Sequence, residues 1–114
     1  MSVLPFTPFI RSKDLVFFSG KIEMTSEGKV LEGTIAEKTK QVMENIKSEL
    51  KNAGLDVSDI VYAQVFLTDI ANYQEFNDEY VKHLVEPYPA RFVVAVKELP
   101  LEAKVEISVI ASNK

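Results

Sequence analysis

The sequence predicts an α/β sandwich: one mixed sheet with two helices packed on one of its faces. Three observations carry this expectation. Nearly unbroken apolar runs rich in β-branched residues read as strands around 15–18, 60–67, 90–96 and 105–111. Two stretches with apolar residues three and four apart read as helices, and they fall between the strands. The resulting order is strand, helix, strand, helix, strand, strand, with no internal repeat, low-complexity tract or linker, so residues 1–114 are expected to form a single domain.

Residues 1–13 hold Pro5 and Pro8 with Phe6, Phe9 and Ile10 around them, which permits an edge strand or an extended arm and excludes a central strand. Leu15-Val16-Phe17-Phe18 then reads as a buried strand ending in a turn at Ser19-Gly20. Two readings of that pair stand side by side: a plain turn, or a small backbone-exposed spot where a ligand can approach closely. Residues 21–33 read as a loop with a short strand or hairpin, because Glu27-Gly28 is a turn signal. Thr34 and Glu37 match a capping box, and Ile35, Val42, Met43, Ile46, Leu50 and Ala53 follow at helical spacing up to a stop at Gly54. The opposite face of this helix, with Lys38, Lys40, Glu44, Lys47, Glu49 and Lys51, is expected to be solvated.

Asp59 to Thr68 reads as a strand covered on both faces. A second capping box is expected at Asn72 and Glu75, opening a helix whose buried stripe is Tyr73, Phe76, Tyr80, Val81 and Leu84. Asn77 lies on that stripe, so its amide needs partners: it is either a structural bridge or part of a site. His83, at the margin, is expected to be partly buried and not catalytic. Glu86-Pro87-Tyr88-Pro89 ends the helix. The two last strands each carry a full charge, Arg91 in the first and Glu106 in the second. Each charge either reaches solvent at a strand end or edge, or the pair lines a cleft ready for a small polar molecule.

Composition narrows the function. With 46% hydrophobic and 26% charged residues and a net charge of −4, the chain is an ordinary globular one without a basic stripe, which argues against a nucleic-acid partner. Of 13 basic residues only Arg11 and Arg91 are arginine, and arginine is the side chain that meets a carboxylate with two parallel donors. There is no cysteine and a single histidine, so thiolate and multi-histidine metal sites are excluded. Met1 to Pro5 lacks the pattern of a signal peptide, and no apolar stretch is long enough for a membrane span, so a cytoplasmic location is expected. The face of the sheet that the helices leave bare is rich in Val, Ile, Phe and Leu, which predicts a homo-oligomer.

The motifs taken together resemble the reactive intermediate deaminase family (RidA, also called YjgF). Ser19-Gly20 after an apolar strand, Val65-Phe66-Leu67-Thr68-Asp69, Phe76-Asn77-Asp78-Glu79-Tyr80, Pro89-Ala90-Arg91, Leu99-Pro100 and Val105-Glu106-Ile107 occur in that family's order, over nearly the whole of residues 15–111. The resemblance implies a chorismate-mutase-like fold and a homotrimer with clefts between subunits. It implies cofactor-free hydrolysis of small 2-imino acids, such as 2-iminobutanoate and 2-iminopropanoate, to 2-keto acids and ammonia. Arg91 would grip the substrate carboxylate and Glu106 would position water, with Ser19, Gly20 and Asn77 contributing to the pocket. Three positions depart from the family pattern: Phe6 stands where a tyrosine is expected, Val93 where a cysteine is, and Ser108 in place of a second acid. A non-catalytic binder of small carboxylates or keto acids is therefore the competing expectation.

Overall fold

Three long strands, three short ones and two α-helices make up the computed structural model, which describes residues 4–113. The expectation for Met1–Val3 lies outside the described residues. The strands are β1 (Phe9–Ser12), β2 (Leu15–Phe18), β3 (Lys21–Ile22), β4 (Ile60–Leu67), β5 (Ala90–Ala95) and β6 (Val105–Ser112); the helices are α1 (Ile35–Asn52) and α2 (Tyr73–Tyr80). One mixed sheet runs β1-β2-β6-β4-β5, with β3 also on β6. Only β4 and β5 are parallel, and α2 lies in the crossover between them. The Pro-containing arm does supply an edge strand, β1.

Alternation along the strands decides what is buried. Ala63, Val65 and Leu67 of β4 and Val105, Ile107, Val109 and Ala111 of β6 face the helices and are buried, with Val16 and Phe18 of β2 beside them. Val42, Met43, Ile46 and Leu50 of α1 and Phe76 and Tyr80 of α2 close this core from above. Each large aliphatic or aromatic side chain removed from water here contributes about 1.5–3 kcal/mol before entropy is counted. Among the described residues no helix lies on the opposite sheet face. Ile10, Leu15, Phe17 and Val94 are exposed there, around a cluster in which Phe92 meets Tyr62 and Phe66 edge-on at 6.2 and 5.8 Å.

The ends of α1 follow the sequence reading. Thr34 and Glu37 form the reciprocal capping box. At the other end Gly54 adopts φ 78° and the N–H of Leu55 reaches back to the carbonyl of Leu50 at 2.8 Å, an arrangement that glycine accommodates without strain.

Three expectations are corrected. Asn72 makes no side-chain cap to α2; Asp69 instead accepts the Ala71 N–H in the preceding turn, at 2.9 Å. Glu75 is drawn away to α1, where it accepts the N–H of Ala36 at 3.0 Å and locks the two helices together. β2 ends at Phe18 as expected, but Ser19-Gly20 does not turn the chain back: β3 continues beside the same β6. The solvated face of α1 is also less solvated than its pattern suggests. Lys38 is buried, 3.4 Å from the carboxylate of Glu23, which is itself fully inaccessible to solvent. Glu49 pairs with Lys21 at 2.9 Å, and Lys47 bonds to His83 at 2.8 Å. For Lys38 the cause is the segment after β3, which brings Glu23 to α1; β3 and the segment after α2 supply the other two partners.

Glu23 also accepts the backbone N–H groups of Lys104 and Val105, at 2.8 and 3.3 Å. Removing its cation leaves a buried charge uncompensated, so Lys38→Met is expected to cost on the order of 3 kcal/mol. Urea unfolding measures it; a loss below about 1 kcal/mol, the size of a surface pair, contradicts this account of Glu23.

Candidate functional site

The strand that contains Leu15 and Ile22 is continuous in direction but broken in register. Phe17 lies opposite Ile110 and Lys21 opposite Ile107, so four steps on one strand answer three on β6. The extra residue is a bulge at Ser19-Gly20. Ser19 is held there from the arm: its N–H bonds to the carbonyl of Pro8 at 3.0 Å and its hydroxyl to that of Thr7 at 2.6 Å. Ser108 of β6 secures the near side, donating its hydroxyl to the carbonyl of Phe18 at 3.2 Å.

Glu106 fills the space the bulge opens. A β-carbon built on Gly20 would lie 2.3 Å from Glu106 Oε2, so the carboxylate can occupy its position only because residue 20 has no side chain. Around it lies a cavity of about 610 Å³ whose walls include Phe6, Ser19, Gly20, Ile22 and Leu101. The carboxylate of Glu106 makes no hydrogen bond or ion pair among the described residues. Burial among apolar walls pushes its carboxyl above the ordinary carboxylate range.

Arg91 is placed quite differently. It is the second residue of β5 and points to the helix side, into a cavity of about 270 Å³ formed with Asn77, Tyr80, Tyr88 and Pro89. Its guanidinium donates to Asn77 Oδ1 at 2.8 Å and to the Tyr73 hydroxyl at 3.2 Å, and it lies 4.9 Å above the Tyr80 ring. Burial raises the Tyr80 hydroxyl above its usual value, and the Arg91 charge partly offsets this. No acidic side chain pairs with Arg91 among the described residues. Two donors are used and the rest remain to meet a ligand carboxylate.

The expected residues therefore fall into two groups. Phe6, Ser19, Gly20 and Glu106 share one cavity, and Asn77 and Arg91 share the other. Val93 joins neither; it packs against the core, two residues along β5 from Arg91. Registry shows how far apart the two groups lie: Arg91 is level with Ala63, whereas Glu106 is level with Phe66, one strand further across. That is about 14 Å between Cα atoms, and the odd offset puts them on opposite faces of the sheet. Within one chain the guanidinium and the carboxylate cannot touch the same small molecule.

Sequence reasoning took Tyr73 and Tyr80 as core stripe and missed their part in holding Arg91. A signal was present: Tyr73, Asn77 and Tyr80 stand at i, i+4 and i+7, one face of a helix that carries three polar tips. It also missed the apolar walls beside Glu106, because Ile22, Met24 and Leu101 come from segments without periodicity. His83 lies apart from both groups, partly buried as expected, with Nε2 2.7 Å from Glu79 and Nδ1 accepting from Lys47. Among the described residues no cluster suited to a metal ion occurs, and no helix is long and apolar enough to cross a membrane.

Comparison with known proteins supplies the context. Residues 1–113 match the model of a family described as endoribonuclease L-PSP. The chain is 39% identical to the mitochondrial protein MMF1 of Saccharomyces cerevisiae over 105 residues, covering 92% of this chain and 72% of that protein. It is 37% identical to the chloroplastic Reactive Intermediate Deaminase A of Arabidopsis thaliana, covering 95% of this chain and 58% of that longer one. The crystal structure of RidA from an Antarctic Psychrobacter superposes with a TM-score of 0.91 at 34% identity, over 98% of this chain and 91% of the other.

Two outcomes test the electrostatic picture. The fold favours protonated Glu106, so that preference helps stability below the unfolded-state pKa and is lost as pH rises through the higher folded one. Glu106→Gln is expected to stabilise the chain at pH 7 and to bring no gain below about pH 4, as read by urea unfolding at each pH. Gly20→Ala should displace the carboxylate toward water and lower its pKa, observable by carbon NMR of the labelled side chain; an unmoved titration contradicts the tight contact.

Proposed function

The chain belongs to the endoribonuclease L-PSP family, that of the reactive intermediate deaminases (RidA/YjgF), and on that premise we propose that it hydrolyses 2-imino acids to 2-keto acids and ammonia. The observation that carries the proposal is a pair of oppositely charged groups, neither with a counter-charge among the described residues: an arginine prepared by Asn77 and Tyr73, and a half-buried glutamate beside Gly20. A 2-imino acid has a carboxylate for the first and an electrophilic C2 for a water held by the second. Because one chain keeps the two groups about 14 Å apart, the site forms between subunits, with Arg91 of one copy facing Glu106 of another. A homotrimer closing over the bare sheet face fulfils this.

The chemistry needs no cofactor. Water attacks C2 of the protonated imine as Glu106 takes its proton, giving a neutral tetrahedral amino alcohol, and Glu106 then passes that proton to nitrogen. The C–N bond breaks as the hydroxyl oxygen forms the C=O bond, ammonia departs with the C–N electron pair, and Glu106 accepts the hydroxyl proton. A carboxyl raised above its ordinary value suits both halves of that transfer, and Arg91 orients the substrate through its carboxylate. The family description also speaks of an endoribonuclease. A net charge of −4 and an apolar cavity at Glu106 offer no track for a phosphate backbone. The compartment we propose is the cytoplasm, although the yeast and plant relatives are named for organelles.

One observation favours a second reading. Phe6 lines the Glu106 cavity and brings no hydroxyl, and the hydroxyl of Ser19 is committed to Thr7. Glu106 is then the one acid beside the water, with no second hydroxyl donor among the described lining residues, and the same cleft without turnover would be a keto-acid binder.

A coupled assay decides between them: an amino-acid oxidase or dehydratase generates 2-iminopropanoate and 2-iminobutanoate while keto-acid release is followed. Arg91→Ala is expected to lose both binding and turnover, and Glu106→Gln to keep binding and lose at least about 100-fold in rate. Full activity in Glu106→Gln rules out its assigned role. Light scattering should report a trimer; a stable monomer rules out the shared site.

A further inference from the structure

Glu106 and Ser108 stand two residues apart on β6, half-buried on the same face of the sheet. That spacing puts their Cα atoms about 7 Å apart. The hydroxyl of Ser108 is turned across to β2, where it donates to the carbonyl of Phe18 at 3.2 Å.

Phe18 is the last residue before the bulge. Its buried ring meets that of Phe9 at 5.5 Å, so packing fixes its side chain while Ser108 fixes its carbonyl. Ser19, the next residue, is held by the carbonyls of Thr7 and Pro8. Both sides of the bulge are therefore tied down, and Gly20 has one position relative to β6. That position gives Glu106 Oε2 its room, within a distance that a single methyl group would close.

Only a donor can hold this carbonyl. Alanine has none, and an ionised acid at residue 108, as in the family pattern, accepts hydrogen bonds and would repel the carbonyl oxygen. The serine thus does at this point what the expected acid could not. Without the bond, the Ser19-Gly20 backbone is free to move off β6, and the recess opens to water.

We infer that Ser108 is a positioning residue for the proposed hydrolysis: by holding the Phe18 carbonyl it keeps the Ser19-Gly20 bulge closed over Glu106, so that the carboxylate stays dry and fixed while it handles water. This rests on the imine-hydrolase reading and adds to it a residue that acts only through the backbone of a neighbouring strand.

The test follows hydrolysis of 2-iminopropanoate, generated in place by an amino-acid oxidase, from about pH 5 to 9. Ser108→Ala is expected to lose about ten-fold in kcat with KM kept within about two-fold, since carboxylate capture at Arg91 is untouched. Its acid limb should move to lower pH, because a carboxyl reached by water titrates nearer its ordinary range. Ser108→Thr keeps a hydroxyl and suits a strand, so it should recover both the rate and the limb. Unchanged kcat and an unchanged limb in Ser108→Ala overturn the inference and leave the hydrolase reading standing. So does a loss that Ser108→Thr fails to recover, or one that falls wholly in KM. Carbon NMR of the labelled Glu106 carboxyl reads the same latch without turnover: a titration moved to lower pH in Ser108→Ala supports it, and an unmoved one overturns it. A moved titration in a chain that turns over no imine leaves Ser108 holding Glu106 and removes the hydrolase reading.

Discussion

The position of the proposed water-handling carboxylate depends on another carboxylate that never meets solvent. Glu23 takes the backbone N–H groups of Lys104 and Val105 and is balanced by Lys38. These bonds fix where β6 begins, and Glu106 is the next residue. An acid in a dry interior is costly unless charge and donors both answer it; here a lysine from α1 and two amides from β6 do so. A single buried ion pair thus ties the segment after β3, the long helix and the central strand into one frame.

That frame keeps the two charges of the proposed site, Arg91 and Glu106, from cancelling. Had Arg91 and Glu106 shared a face and a level, they would have formed an internal ion pair with little left for a ligand. The parallel pairing of β4 with β5 sends Arg91 toward α2, where aromatic rings and an amide hold it without neutralising it. The bulge at Ser19-Gly20 gives Glu106 its own recess on the other face. Each group is prepared and left unsatisfied, the electrostatic state of a binding residue that awaits its partner.

Much of this was legible in the residues themselves. Alternation in β4 and β6, the capping box at Thr34 and the stop at Gly54 are local signals, and they appear in the fold as the sequence indicates. The placement of Asn77 was half legible: a polar residue on an apolar stripe announces a partner but does not say which. What escaped were features decided by distant segments. Lys38 reads as surface until Glu23 arrives from elsewhere in the chain, and Asn72 reads as a cap until Asp69 takes that work. The bulge is invisible because strand register is a property of two strands together. The division of the site across two faces is invisible for the same reason: it follows from counting residues along paired strands.

The bare sheet face has a consequence of another kind. If copies of this chain cover the surface that carries Ile10, Leu15, Phe17 and Val94 beside an aromatic cluster, as in the trimer proposed above, the coverage stabilises it and obeys mass action. Stability of this chain is then partly a property of how much of it is made. A weakly expressed copy would melt at a lower temperature than an abundant one of identical sequence, and it would expose an adhesive face at the moment its concentration fell. Abundance becomes a folding variable, and selection on expression level and selection on the sheet face act on the same free energy.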